Sequence, residues 1–470
     1  MTRDYFKQKT APLPHQLEAI SFLVSKKYAA LFDEQGVGKT KEVIDVIISL
    51  LKSKEADAAL IICPKTLMYT WQMEVKKHSF LIPVVITGGG RSKGYKFLTS
   101  ANIYILNYEG VKAELDIVEL LLESQRFILV LDESQRIKNP KSQTFDAISK
   151  LSQYPLRKYI LTGTPVANKP IDLWAQFYFL DNGKALGKEF QPFQKRYGDI
   201  DKGSVDLYQK LQKLIAPLSI RRLKENVLEL PEKIYEQVIV DMAPRQVEIY
   251  EKLKKELLIE ILNTPEQKII DEAKSILKKL LRLVQVTSNP GLVVKDYQET
   301  PAKFVVLDKI VKDILLKGEK VIIWSSFVDN VKELRSRYRE HGALNIYGGI
   351  DIATRNKYIT SFQEQNDYKI MVANPAAARE GLTLTAANNA IYVDRSFNLV
   401  DYLQSQDRIH RISQKKRCRI IKLLCSDSID LFVEDKLARK QDIAKVIQGD
   451  STKIDNTSYL TKEEIVELLN

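Results

Sequence analysis

The stretch LFDEQGVGKT, residues 31–40, stands between two apolar runs of different period and ends in Gly38-Lys39-Thr40. Before it, Tyr28, Ala29, Ala30, Leu31 and Phe32 read as a buried strand. After it, Glu42, Val43, Ile44, Val46, Ile47, Leu50 and Leu51 recur at helical spacing. A strand, a glycine turn and a helix aim successive backbone N–H groups and the positive end of the helix at one anion. In that geometry the backbone at Gly36 and Gly38 lines a phosphate, Lys39 reaches the terminal phosphates and Thr40 holds magnesium. The general pattern opens with Gly, whereas this chain has Asp33 there, and a Gly-Lys-Thr turn alone can be an ordinary loop.

A second stretch makes the nucleotide reading much stronger. Residues 127–131 are five apolar residues followed by Asp132 and Glu133. That pattern fits a buried parallel strand with acids at its carboxyl end, where open α/β sheets bind ligands. Asp132 suits a magnesium ligand, and Glu133 suits the group that orients or deprotonates an attacking water. Together the two stretches point to ATP or GTP hydrolysis.

The 470 residues allow two to four domains, and 44% hydrophobic with 28% charged residues is an ordinary globular composition. Lys plus Arg exceed Asp plus Glu by 72 to 60, a net +12 that favours a polyanionic partner such as nucleic acid. Cys63, Cys418 and Cys425, with His15, His78, His341 and His410, show no metal-ligand spacing, so a reduced, intracellular protein without disulfides or structural zinc is expected. No apolar run has the roughly 18 residues needed to span a bilayer, and no membrane partner is expected.

Short apolar strands alternate with amphipathic helices up to about residue 180, at 29–32, 60–63, 84–86, 103–106, 127–131 and 158–162. Helical, Lys- and Glu-rich segments follow, notably 245–262 and 267–286. A second strand series runs through 321–324, 345–347, 370–373, 390–393 and 419–424. Residues 461–469 read as a short helix opened by a Thr461–Glu464 capping box. The expected division is a first lobe at 1–230 with a helical protrusion from about 181, a helical insertion at 231–290, a second lobe at 291–445 and a helical tail at 446–470.

These residues resemble the Swi/Snf-type ATPases, a branch of the superfamily-two helicases, through most of the chain. Leu13-Pro14-His15-Gln16 resembles the entry motif, which implies that Gln16 contacts adenine, and the family's own phosphate loop begins with Asp, as at Asp33. Pro64-Lys65-Thr66-Leu67 with Trp71 and Glu74 is similar to a DNA-touching motif, and Asn107-Tyr108-Glu109 to its partner. Asp132-Glu133-Ser134-Gln135, followed by Arg136, Lys138 and Asn139, matches the acid motif. Leu161-Thr162-Gly163-Thr164-Pro165 matches the motif that couples hydrolysis to lobe movement. Arg221-Arg222, Leu230-Pro231-Glu232-Lys233 and the stretch from Leu281-Arg282 to Asn289-Pro290 resemble the family's helical elements. In the second half, Ile323-Trp324-Ser325-Ser326-Phe327, Tyr347-Gly348-Gly349 and residues 381–387 resemble successive motifs, and residues 404–414, QSQDRIHRISQ, carry the most specific signature. The family usually has His where Gln135 stands, and its Gly-rich opening before Gly381 is replaced by Ala377-Ala378-Arg379-Glu380. That replacement, with Lys169-Pro170 and Leu173, is nearer the annealing-helicase branch than the nucleosome remodellers.

The resemblance implies an α/β fold of two RecA-like parallel-sheet lobes with helical insertions between them, using ATP and Mg2+. It implies Gln16, Gly36, Gly38, Lys39, Thr40, Gln135, Gly381 and Gln404 at the nucleotide, and Thr40 and Asp132 at the metal. Arg408 and Arg411, three residues apart on an expected helix, would present one cationic face to the phosphates, completing a catalytic set with Lys39, Asp132 and Glu133. Lys65, Thr66, Asn107, Thr164, Ser326, Gly348, Thr383 and Thr385 are the DNA-contact candidates, suited to phosphate contacts that carry no sequence information. Lys415-Lys416-Arg417 with Arg419 forms a further basic run, for which a solvated face is the default. The expected activity is ATP-driven translocation on double-stranded DNA, forked or branched DNA included, with protein partners supplying targeting. The expected place is the cytoplasm or nucleoid of a prokaryote or virus, or a eukaryotic nucleus. A strand-separating DNA or RNA helicase, the motor subunit of a restriction or defence complex, and a non-catalytic DNA-binding scaffold are the alternatives.

Overall fold

In the computed structural model, which describes residues 6–198, 204–264, 273–377, 382–453 and 462–469, each apolar run named above yields a parallel strand. The chain divides into two units, Met1–Glu229 with Ile443–Lys453, and Leu230–Asp442 with Ile454–Asn470.

Unit 1 is built on β1 (Tyr28–Leu31), β2 (Ala58–Cys63), β3 (Pro83–Val85), β4 (Ile103–Asn107), β5 (Phe127–Asp132), β6 (Arg157–Leu161) and β7 (Ser219–Ile220). They pair in the order β3-β4-β2-β5-β6-β1-β7, every pair parallel. Parallel neighbours need crossover connections, and the helices that supply them cover both faces, so these strands are apolar on both sides. On one face Leu31, Ile61, Ile105, Val130 and Tyr159 pack with Val43, Ile47 and Leu50 of the helix Lys39–Lys52 and Trp71 and Val75 of the helix Met68–His78. Each fully buried aliphatic side chain of this kind contributes roughly 1.5–3 kcal/mol.

Unit 2 contains β8 (Lys233–Val240), β9 (Val321–Trp324), β10 (Ala343–Ile346), β11 (Ile370–Ala373), β12 (Asn389–Tyr392) and β13 (Cys418–Cys425). Their order is β10-β11-β9-β12-β13-β8, again all parallel, with a hydrophobic core on each face of the sheet.

Three stretches of the fold depart from the sequence reading. Residues 231–290 are not wholly helical, because Lys233–Val240 forms an eight-residue edge strand along β13. Arg221-Arg222 is not helical but follows the two-residue strand β7. Residues 446–453 are not part of a separate tail: Ile443–Lys453 groups with unit 1, where Arg221 donates to both carboxylate oxygens of Asp450, from Nε to Oδ1 at 2.9 Å and from Nη2 to Oδ2 at 2.6 Å. The terminal helix is Lys462–Leu469, while Thr461 of the expected capping box lies outside the described residues. Among the described residues, no helix is long and apolar enough to cross a membrane.

Candidate functional site

Strand register brings the sequence motifs to one edge. Leu31 of β1 and Asp132 of β5 are both level with Leu161 of β6, and Cys63 of β2 is level with Asn107 of β4. Because the strands are parallel, the segments after them leave from the same carboxyl edge. Residues 33–40, Lys65, Glu133 and Thr162 lie there, with Asn107 at the last position of β4. That edge is the ligand-binding side of such a sheet.

The glycine loop turns through left-handed backbone at Gly36 (φ 89°) and Gly38 (φ 113°), then enters the helix Lys39–Lys52. Lys39 Nζ donates to the loop carbonyls of Asp33 at 2.7 Å and Glu34 at 3.1 Å, and Thr40 stands half-buried in the first turn. The helix Pro14–Ser25 backs the loop: Gln16 is buried, a Cβ on Gly38 would overlap its amide, and His15 Nε2 lies 3.1 Å from the Val37 carbonyl. The turn after β6 presses on the loop from another side, since a Cβ on Gly163 would lie 2.9 Å from Gln35 Cγ and 3.1 Å from Gln35 N.

The acid pair is joined to that loop directly. Gln35 Nε2 donates to Glu133 Oε1 at 3.3 Å, and Gln135 Nε2 donates to Glu133 Oε2 at 2.6 Å, so two amides fix the carboxylate. Glu133 itself has left-handed backbone (φ 53°), a conformation that costs a non-glycine residue roughly 1–3 kcal/mol. Asp132 accepts the Trp71 indole N–H at 2.8 Å on Oδ2 and the Glu133 N–H at 2.9 Å on Oδ1, while Tyr108 Oη donates to its carbonyl at 2.8 Å. Burial, then the charge of Glu133, pushes the Asp132 carboxyl up to about 7, against the pull of Trp71 and Lys39. Among the described residues there is no cluster of three or more His, Cys, Asp or Glu that could hold a metal. Asp132 and Thr40, one carboxylate and one hydroxyl, are the residues that would hold magnesium, a cation that needs only one or two protein ligands.

The sequence reading assigns Arg222 no role at this site, yet it clamps the loop. Its guanidinium pairs with Asp33 through Nε at 3.1 Å and through Nη2, with Glu42 Oε1 at 2.6 Å, and with the His15 carbonyl. Asp33 and Glu42 are completely buried. Asp33, the departure from the general loop pattern, is therefore the anion that anchors Arg222. Glu34 strengthens the join by accepting the Lys224 N–H at 2.6 Å. Burial, then the charge of Asp33, pushes the Glu42 carboxyl up to about 8 against the pull of Arg222.

Unit 2 has its own carboxyl edge. Asp394, two residues past β12, accepts Ser325 Oγ and the Ser326 N–H at 2.6 and 2.7 Å, and Asn374 Nδ2 donates to the Ser326 carbonyl at 2.8 Å. Gly348 is exposed beyond β10. The arginine pair differs from expectation, because the helix Leu399–Gln406 ends before either residue. Instead Arg408 and Arg411 follow in turns, and each Nε reaches back to the carbonyl four residues earlier, Gln404 at 2.9 Å and Asp407 at 3.0 Å. Orphan carbonyls at a helix end attract such donors. Both arginines also reach the 382–385 segment, Arg408 at the Leu382 carbonyl (3.3 Å) and Arg411 at Thr383 Oγ1 (3.0 Å), while Thr385 Oγ1 meets Ser413 Oγ at 2.9 Å. Arg408 is buried and Arg411 half-buried; Gln404 is buried; Gly381 lies outside the described residues. In unit 1, Lys65 is exposed, Thr66 and Asn107 are half-buried, and Thr164 is buried with its N–H on Thr162 Oγ1 at 3.0 Å.

Two known families match along the chain. The SNF2-related domain family matches residues 15–292, and the helicase conserved C-terminal domain family matches residues 302–413. A protein named as an uncharacterized ATP-dependent helicase of Mycoplasma genitalium is 29% identical over 457 residues, 93% of this chain and 42% of that protein. The chromatin structure-remodeling complex subunit snf21 of Schizosaccharomyces pombe is 26% identical, over 96% of this chain and 40% of its own length. The chain thus spans less than half the length of these curated relatives. Among solved structures, the SWI2/SNF2 ATPase core of Sulfolobus solfataricus in complex with dsDNA is 27% identical, covers 99% of this chain and 98% of that one, and has a TM-score of 0.46.

Proposed function

The chain belongs to the SNF2-related family, and from that premise we propose that it hydrolyses ATP in response to double-stranded DNA and converts hydrolysis into movement along the duplex. The observation that carries the reading is the hydrogen bond from Gln35 in the glycine loop to Glu133 in the acid pair, which joins a phosphate-binding turn to a held carboxylate at one sheet edge.

In this mechanism the backbone N–H groups of the 36–40 turn and Lys39 receive the phosphates, and Gln16 supports the loop and meets the base. Thr40 and Asp132 would hold magnesium, which would supply positive charge facing the phosphates. Glu133, with both oxygens already oriented by Gln35 and Gln135, aligns the attacking water and draws off its proton. Gln135 stands where the family usually has histidine, and it holds Glu133 Oε2 through an amide that does not titrate. In unit 2 Arg411 is assigned as the catalytic cation, with buried Arg408 bonded to the Leu382 carbonyl, and Gly381 and Gln404 are assigned to the nucleotide. An arginine used this way is worth about 10³–10⁵ in rate.

Movement requires a sequence-indifferent grip. Lys65, Thr66, Asn107 and Thr164 in unit 1, and Ser326, Gly348, Thr383 and Thr385 in unit 2, are assigned to the DNA backbone. The Asp394 and Asn374 bonds that fix Ser325-Ser326 suit a phosphate-binding turn that must not rearrange. Turnover measured with linear duplex, forked duplex, four-way DNA, single strands and RNA tests the proposal. Stimulation by duplex forms supports it, and stimulation by RNA alone overturns it.

A further inference from the structure

Two neighbouring strands of unit 1 end in assigned DNA contacts, and each is followed within a few residues by an aromatic side chain bonded to Asp132. After β2, Lys65 and Thr66 open a short turn (Lys65–Leu67) that runs into the helix Met68–His78, whose Trp71 is 2% exposed. The indole N–H of Trp71 donates to Asp132 Oδ2 at 2.8 Å. After β4, Asn107 is followed by Tyr108, 1% exposed, whose hydroxyl donates to the Asp132 carbonyl at 2.8 Å. One aromatic fixes the carboxylate and the other fixes the backbone that carries it.

A buried indole needs one acceptor, and any carbonyl nearby would serve a purely structural purpose. Here the acceptor is the acid assigned to magnesium. An outer hydrogen bond to a metal-binding carboxylate sets which lone pairs remain for the metal. An indole has one donor in a rigid ring, so it cannot follow the carboxylate by rotating a tip. A small shift of the helix Met68–His78 must then either move Oδ2 or break the bond. The residues that begin the same segment are those assigned to the DNA backbone.

We propose that Trp71 and Tyr108 are positioning residues that couple duplex engagement at Lys65, Thr66 and Asn107 to the magnesium-binding geometry of Asp132. The inference rests on the assignments of Asp132 and of those three DNA contacts made above. Linkage then requires reciprocity: duplex tightens magnesium-nucleotide binding by the same factor by which magnesium-nucleotide tightens duplex binding. A residue that transmits the effect lowers that factor when it is altered, which is the coupling test that an intermediate position alone does not satisfy.

The experiment uses the full chain with Trp71→Phe and Tyr108→Phe. Duplex affinity is read by fluorescence anisotropy with and without a magnesium-bound non-hydrolysable ATP analogue. Bound Mn2+ is read by electron paramagnetic resonance in the presence of ADP. Duplex affinity without nucleotide should stay within about 2-fold of wild type, while metal affinity falls about 10-fold or more in Trp71→Phe. The nucleotide-induced change in duplex affinity should shrink at least ~5-fold in Trp71→Phe and measurably in Tyr108→Phe. Tyr108→Phe removes a single oxygen and carries the test if Trp71→Phe fails to fold. Wild-type coupling and metal affinity in both variants overturn the inference. Asp132→Asn separates the levels: loss of Mn2+ in that variant with unchanged coupling in the aromatic variants defeats this inference alone, whereas retained Mn2+ binding and turnover defeat the site assignment beneath it.

Discussion

Replacing Arg222 with Met should destabilise unit 1 more than any other single change near the glycine loop. The side chain bonds Asp33, Glu42 and the His15 carbonyl, and its removal leaves the completely buried Asp33 carboxylate, beside buried Glu42, without its cation. Breaking a buried ion pair from one side costs about 3–5 kcal/mol. For a unit of this size, roughly 2–4 °C in Tm per kcal/mol gives a fall of about 6–20 °C. Calorimetry of the ligand-free chain, with Trp fluorescence as a second probe, reads the shift. Glu42 adds a pH signature. Its carboxyl titrates near 8 when folded against an ordinary 4.5, so between those values the folded unit holds a proton that the unfolded chain has released. Stability contributed by this group is therefore complete below about 4.5 and is lost as pH rises through about 8, at up to about 1.4 kcal/mol per pH unit. Glu42→Gln should flatten that slope and, combined with Arg222→Met, recover part of the lost Tm. A fall of less than about 1 kcal/mol in Arg222→Met, or an unchanged pH slope in Glu42→Gln, would refute the reasoning.

Three further outcomes are expected. Gly163→Ala places a methyl 2.9 Å from Gln35 Cγ and 3.1 Å from Gln35 N; turnover should drop about 10-fold as the loop shifts, and an unchanged rate means the loop tolerates the displacement. Lys39→Ala and Arg411→Ala should each lower DNA-stimulated turnover by at least ~10²-fold with little change in circular dichroism; near-normal turnover in either rejects that residue's assignment. Duplex affinity should fall steeply and linearly on a log–log plot as salt rises, and Lys65→Ala should reduce the slope by about one unit; an unaltered slope removes Lys65 from the phosphate contacts.

Much of the fold was legible because parallel strands covered on both faces leave near-continuous aliphatic runs, as at Phe127–Asp132. The edge strand Lys233–Val240 was not, since only its last residue is fully buried and its sequence interleaves Glu236 and Gln237 with apolar residues. β7 is two residues long and leaves no periodic trace. The glycine loop and the acid pair were readable from residue type and spacing. The partner of Asp33 was not, because Arg222 lies 189 residues away and only the pairing of β1 with β7 brings it near. Trp71 and Tyr108 were visible as parts of motifs, but their convergence on Asp132 depends on the register of β2, β4 and β5. The helix carrying Arg408 and Arg411 was extended too far, since helical spacing does not reveal that each guanidinium turns back to a carbonyl at the helix end.

The carboxyl edge of unit 1 is proposed to hydrolyse ATP under the control of duplex DNA, with Glu133 as the group that prepares the water. Steady-state ATPase of wild type and Glu133→Gln, each with saturating linear duplex and without nucleic acid, tests it most directly. Strong duplex stimulation is expected in the wild type and a loss of at least ~10²-fold in the variant, with ATP still bound. Equal turnover with and without duplex, or near-normal turnover in Glu133→Gln, would contradict it.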